Sequence, residues 1–145
     1  MINAESLDTA LIALVEKRIQ LNELNYSDDS YDDIEEELHD MEDSFIDTYG
    51  SYLEKVLEDV HEKYCADTDV LLPTAYIAKN YVKKGVLPNG KPAYQVSPKE
   101  GVWVDLDENP GKEAHLVLVP NPTRILLITG TNQATEVWRA GKVTN

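Results

Sequence analysis

All seven prolines of this 145-residue chain, and six of its seven glycines, lie beyond residue 72. Proline breaks a helix interior because it lacks an N–H donor, and glycine weakens one through its backbone freedom. Long helices are therefore expected only in the first half of the chain. The second half has the turn formers that connect short strands.

Two helices are predicted in the first half. In residues 4–24 the apolar side chains recur at helical spacing, at Leu7, Leu11, Leu14, Val15, Ile19 and Leu21. Residues 25–29 predict a turn, and Ser30 with Asp33 three residues later predicts an acidic form of the capping box. A second helix is predicted from Tyr31 to Tyr64, because apolar residues recur every three or four positions throughout.

Gly50 leaves two possibilities for the second helix. Gly50-Ser51, followed by Glu54, resembles a helix stop and a new cap. However, the apolar phase continues through it from Tyr49 to Leu53, which favours one continuous or kinked helix. Such a helix is about 51 Å long, whereas a compact chain of this size has a radius of gyration of about 15 Å. This length predicts a homodimer paired through its helices.

The second half predicts a small antiparallel sheet. Asn89-Gly90 is a strong hairpin signal, and Asn109-Pro110-Gly111 fits a type II turn. The candidate strands are 92–97, 101–106, 114–119, 124–129 and 134–139. Trp103 and Trp138 lie on these strands and are expected to anchor the core.

Residues 74–84 fit either a helix or a strand. Pro73 before them and Gly85 after them frame a helix, which we favour.

The predicted fold class is α+β, an N-terminal acidic antiparallel helical hairpin (residues 1–69) packed on a small, meander-like antiparallel β-sheet (residues 70–145). The two parts are expected to share one core.

The net charge of −14 is distributed unevenly along the chain. Residues 1–69 contain 4 basic and 21 acidic residues, a net of −17, whereas residues 70–145 contain 9 basic and 6 acidic residues, a net of +3. This acidity argues against binding to nucleic acid or to an anionic membrane surface.

No apolar run suits a signal peptide or a spanning helix, and the single cysteine excludes an internal disulfide. A cytoplasmic protein is therefore expected.

The acidic block from Asp28 to Asp47 has 11 carboxylates and no Lys or Arg. An EF-hand loop starting at Asp28 fails, because Asp33 replaces the required glycine and His39 the required glutamate. Part of the block stabilises a helix N-terminus through the macrodipole. The remaining charge predicts a surface for a basic protein partner, with Asp32, Asp33, Glu36, Asp40 and Asp43 as the candidate contacts.

A metal site is a second candidate. Glu58, His61 and Cys65 stand at i, i+3 and i+7 on one helix, a spacing that lets His and Cys reach one zinc ion. Structural zinc sites usually have a second Cys/His pair, which this sequence lacks. Glu36-x-x-His39 and Glu58-x-x-His61 share the spacing of di-metal helical bundles. They lie about 33 Å apart on one helix, too far to share a site.

The leading functional hypothesis is a non-enzymatic protein–protein interaction module, an adaptor or inhibitor that binds a basic partner through its acidic helices. No catalytic residue and no cofactor are predicted, since the sequence has neither a nucleophile elbow nor a phosphate-binding loop. The alternative is a small enzyme, or a ligand- or metal-binding protein, with a site between the helices and the sheet.

Overall fold

The computed structural model describes residues 3–107, 113–130 and 133–141. Within these residues, helices α1 (Ala4–Asn22) and α2 (Tyr31–Tyr64) come first, followed by a short 3₁₀ helix (Pro73–Tyr76). The strands are β1 (Val82–Val86), β2 (Pro92–Gln95), β3 (Val102–Asp105), β4 (Glu113–Val119), β5 (Arg124–Thr129) and β6 (Gln133–Arg139). Strands β1 and β2 form an antiparallel hairpin, and β3 to β6 form a four-stranded antiparallel meander. The predicted α+β arrangement is confirmed.

Helix α2 runs without a break through Gly50, so the continuous helix is confirmed. Gly50 is buried, and a Cβ added there would lie 3.1 Å from Cγ2 of Ile46. The predicted capping box at Ser30 is wrong. Ser30 occupies the N-cap position with a helical backbone conformation, and its side chain makes no capping hydrogen bond. An N-cap residue normally has an extended backbone, which aims its oxygen at the first free N–H groups.

The buried side chains of the helices, the 3₁₀ helix and the sheets form one cluster. Helix α1 packs against α2, whose C-terminal half contacts the 3₁₀ helix through His61 and Tyr76. Tyr52 of α2 packs against Trp138 of β6, with their ring centroids 6.2 Å apart. These elements of the same chain therefore cover much, but not all, of the apolar side of this long helix.

Two polar clusters fix the position of α1 against the strands. The carboxylate of Glu16 accepts a hydrogen bond from the Tyr94 hydroxyl and pairs with Nζ of Lys83 at 3.0 Å. Burial by itself raises the pKa of Glu16, but these two partners lower it below its ordinary value of 4.5. One turn from the start of the helix, Oδ1 of Asp8 accepts from the backbone N–H of Asn121 and the hydroxyl of Thr123.

The helix predicted for residues 74–84 is wrong. Only Pro73–Tyr76 is helical, as a 3₁₀ turn, and Val82–Val86 forms strand β1. The hairpin turn at Asn89-Gly90 explains the difference, because a hairpin needs a strand on both sides and pairs β1 with β2. Ile77, which lies between the 3₁₀ helix and β1, forms a parallel bridge with Leu118 of β4.

The expectation that Trp103 anchors the core is also wrong. Its neighbours Val102 and Val104 are buried, whereas Trp103 is 53% exposed. Successive strand residues point to opposite faces, so the register that buries the two valines turns Trp103 outward. The turn predicted at residues 109–111 lies outside the described residues.

Candidate functional site

The N-terminal half of α2 carries exposed carboxylates along one side. Six of them, all exposed, form what we call the acidic face: Asp32, Asp33, Glu36, Asp40, Asp43 and Asp47. At 100° per residue these six fall within an arc of about 100°, and they extend over about 22 Å of the helix. Leu38 and Phe45, which are buried, lie roughly opposite on the same helix. The structure thus brings together the five predicted contact residues and adds Asp47.

The nearest cations on α1 pair with glutamates that flank the acidic face. Nζ of Lys17 lies 3.2 Å from Oε2 of Glu37, and Nη2 of Arg18 lies 2.8 Å from Oε2 of Glu42. The His39 ring lies 3.5 Å from the same Glu42 carboxylate. Within the described part of the chain, no Lys or Arg forms an ion pair with a residue of the acidic face. Its negative charge is therefore left to solvent or to a partner.

A cleft of about 450 Å³ borders the acidic face on one side. We call it the acidic cleft. Asp43, Ile46 and Asp47 line it from α2, and Leu72 and Thr74 line it from the segment that enters the 3₁₀ helix. Leu72 is 59% exposed. The cleft therefore combines carboxylates with accessible apolar surface.

A second groove, of about 470 Å³, lies between α1 and α2 on the other side of the acidic face. We call it the interhelical groove. Asp40 lines it, so that the acidic face lies between the two grooves. Neither groove was predicted from the sequence, because each needs two elements that are distant along the chain.

The candidate metal ligand His61 is buried and both of its ring nitrogens are hydrogen-bonded. Nδ1 lies 2.9 Å from the carbonyl oxygen of Thr68, and Nε2 lies 2.8 Å from the hydroxyl of Tyr76. A carbonyl only accepts, so Nδ1 donates to it, and in the neutral ring Nε2 accepts from Tyr76. The same hydroxyl accepts from the backbone N–H of Leu71 at 3.1 Å. His61 thus has a structural role, tying α2 to residues 68–76.

The other two candidate ligands lie in different surroundings. Glu58 is exposed, whereas Cys65 is fully buried next to the C-terminus of α2. Among the described residues, no three His, Cys, Asp or Glu side chains are grouped so that they could hold a metal ion. The zinc hypothesis for Glu58, His61 and Cys65 gains no support from this geometry.

The thiol of Cys65 is expected to react very slowly in the folded protein. Burial, with a contribution from the Asp107 carboxylate, raises its pKa from 9.0 to about 11. At pH 8 this leaves roughly 0.1% thiolate, against roughly 10% for a thiol of pKa 9. We expect alkylation by iodoacetamide at pH 8 to be at least about 100-fold slower in buffer than in urea. Equal rates would contradict the burial.

The groove between α2 and the sheet is small and largely apolar. It has a volume of about 150 Å³ and is lined by Val56, Val60, Tyr64, Val137 and Trp138, with the charged Asp59 and Lys63. Ligand sites are commonly about 300–1,000 Å³ with several convergent polar groups. The alternative of a ligand or catalytic site at this position is therefore the less favoured one.

Comparisons with protein-family models, with curated proteins and with solved structures find no match for this chain. In the described part of the chain, no helix has both the length and the apolar character needed to cross a bilayer.

Proposed function

We propose that this protein is a non-enzymatic interaction module, an adaptor or inhibitor, whose acidic face binds a basic segment of a partner protein. The observation that carries the proposal is the six exposed carboxylates of that face, which have no cationic partner in the described residues. Like charges four residues apart on a helix, such as Glu36 and Asp40, destabilise it by about 0.2–0.5 kcal/mol per pair. A basic partner relieves this repulsion on binding.

Helix capping accounts for only part of the acidic face. Asp32 and Asp33 lie in the first turn of α2, where the macrodipole favours negative charge. This effect fades beyond the first turn, so it does not explain Asp40, Asp43 or Asp47. These three carboxylates also border the two grooves, and they are the strongest support for a binding role.

The acidic cleft favours arginine and lysine over a small cation. The aliphatic stem of either side chain covers apolar surface while its charged end reaches water or a carboxylate. In this cleft the stem has Ile46 and Leu72 to cover, and the charged end has Asp43 and Asp47 within the same lining. The planar guanidinium of arginine also binds carboxylates bidentately.

The proposal predicts that replacing the acidic face weakens binding to an arginine-rich peptide. The variant combines Asp32→Asn, Asp33→Asn, Glu36→Gln, Asp40→Asn and Asp43→Asn. Exposed ion pairs contribute about 0.2–1 kcal/mol each, so we expect the Kd for a fluorescent octa-arginine probe to rise at least about tenfold in 50 mM NaCl. Wild-type binding should weaken steeply on going to 300 mM NaCl, because salt screens exposed charges.

A matched control separates a localised surface from general charge. The control variant changes five other exposed acids to their amides, Glu54, Asp59, Glu62, Asp67 and Asp69. It alters the net charge by the same amount, and we expect its Kd to stay within about twofold of wild type. Equal losses in the two variants, or binding that does not depend on salt, would contradict the proposal.

The homodimer predicted from the length of α2 is a second proposal, which concerns the oligomeric state. Two copies joined through α2 would bring their −17 halves together, and this repulsion opposes association at low salt. Light scattering at 50 and 500 mM NaCl tests it, since a dimer held against this repulsion should become more stable as salt rises.

A further inference from the structure

The walls of the interhelical groove differ from those of a closely packed helix pair. Helix α1 contributes Ala10 and Ala13, whose small side chains leave the space between the helices open. Helix α2 contributes Met41 and Tyr49, which are partly buried, and the buried Phe45 forms part of the floor. The apolar lining from Met41 to Tyr49 covers two turns of α2, about 12 Å.

The rim of the groove is acidic at the end nearest the N-terminus of α2. Glu37 and Asp40 both line it, and Glu37 is paired with Lys17 whereas Asp40 has no ion pair among the described residues. Asp40 belongs to both the groove and the acidic face. A ligand bound in the groove therefore also lies next to the carboxylates of the acidic face.

We infer that the interhelical groove receives the apolar side of a basic amphipathic helix, whose cationic side lies along the acidic face. This inference rests on the proposed function and specifies the conformation of the partner segment. Helix-in-groove recognition uses apolar side chains at i, i+3 or i+4, and i+7, a spacing that spans the two turns of apolar lining. Met41 is an adaptable contact for such side chains because its chain is unbranched and polarizable.

The charge of the groove selects among the possible occupants. A second copy of α2, which has 13 acidic and two basic residues, is repelled by Asp40 and the acidic face. A second copy of α1 offers only Lys17 and Arg18, which are already paired with Glu37 and Glu42. An uncharged apolar segment would fill the floor but leave the carboxylates of the rim unpartnered. A helix with leucines on one side and lysines or arginines on the other satisfies both.

Three model peptides test the inference. The first has about sixteen residues of leucine and lysine, with the leucines at helical spacing. The second has the same composition in an order that leaves no helix face apolar. The third replaces every leucine with serine. We expect the amphipathic peptide to bind at least about tenfold tighter than its isomer, because only the first presents a continuous apolar side to the groove.

Filling the groove should abolish this preference without touching the acidic face. Ala13 is exposed, so Ala13→Trp adds bulk at the groove without repacking the core. Thr48→Trp, at an exposed position on the other wall, is a second block. In both variants the tenfold preference should fall below about twofold, while the serine-containing peptide binds as it does to wild type. Thr9→Trp, at an exposed position of α1 outside the groove lining, should keep both properties.

The outcomes separate the two proposals. If the amphipathic peptide and its isomer bind equally and with salt dependence, the helix-in-groove inference is overturned and the acidic interaction module stands. If the preference persists in both groove-filling variants, the groove is not the docking site. If none of the three peptides binds wild type, both proposals are overturned.

Discussion

The Gly101→Ala variant is expected to be destabilised by about 3–5 kcal/mol, or not to accumulate as folded protein. Gly101 has a φ of +92°, and a Cβ added there would lie 2.2 Å from the carbonyl oxygen of Leu116 and 2.8 Å from Cβ of Val117. Leu116 is paired in register with Val102, the first residue of β3. The carbonyl therefore cannot move away without disturbing the ladder between β3 and β4.

The Gly90→Ala variant is the matched control for this substitution. Gly90 also has a positive φ, +82°, but a Cβ added there meets no atom within 4 Å. Its cost is limited to the left-handed backbone conformation, about 1–2 kcal/mol. Urea unfolding followed by circular dichroism gives the two free energies of unfolding. Equal losses for the two variants would show that the close approach of Gly101 to β4 is not what makes glycine necessary there.

The second large effect is expected at His61, where His61→Ala should lower the free energy of unfolding by about 3–5 kcal/mol. The substitution opens a cavity beside α2 and removes the partner of the Thr68 carbonyl and of the Tyr76 hydroxyl. Tyr76→Phe should cost less, about 1–3 kcal/mol, since it leaves His61 Nε2 and the Leu71 N–H without that partner.

The control for His61 is the exposed His39, whose replacement by alanine should change stability by less than about 0.5 kcal/mol. The Tyr76→Phe variant has a second, local readout. Its lost hydroxyl holds the N–H of Leu71, which precedes Leu72 in the wall of the acidic cleft. Amide exchange at Leu71 should therefore accelerate. Unchanged exchange at Leu71, with His61→Ala as mild as His39→Ala, would contradict the structural role of this network.

Local periodicity predicted the helices well because their signal repeats over many turns. The 34 residues of α2 keep one apolar phase through Gly50, which predicted a helix that continues to Tyr64, and Ser30 at the N-cap position predicted its start. The helix predicted for residues 74–84 rested on frame residues at its two ends. It was overridden because β1 pairs with β2 across the Asn89-Gly90 turn. The hairpin signal already implied a strand there, but short segments carry too few periods to decide between helix and strand.

The candidate site was also only partly predictable from the sequence. Its carboxylates were evident from the sequence because a block of 11 acids without a cation needs no tertiary information to recognise. The opening between Ala13 and Met41 depends on how α1 lies along α2, and the acidic cleft depends on where residues 71–74 cross that helix. The hydrogen-bond partners of His61 were not evident from the sequence, because one of them, Tyr76, is 15 residues away along the chain.

The sequence by itself determined that this chain has an acidic helical half and a turn-rich, strand-forming half, because charge and helix breakers are properties of composition and order. The tertiary structure decided which of the acids pair with the cations of α1. Lys17 and Arg18 lie where α1 packs on α2, so they reach Glu37 and Glu42 but not the opposite side of the helix. Among the residues that the structure describes, the acidic face forms no ion pair because a helix offers only one side to its neighbour, and Lys17 and Arg18 are on that side.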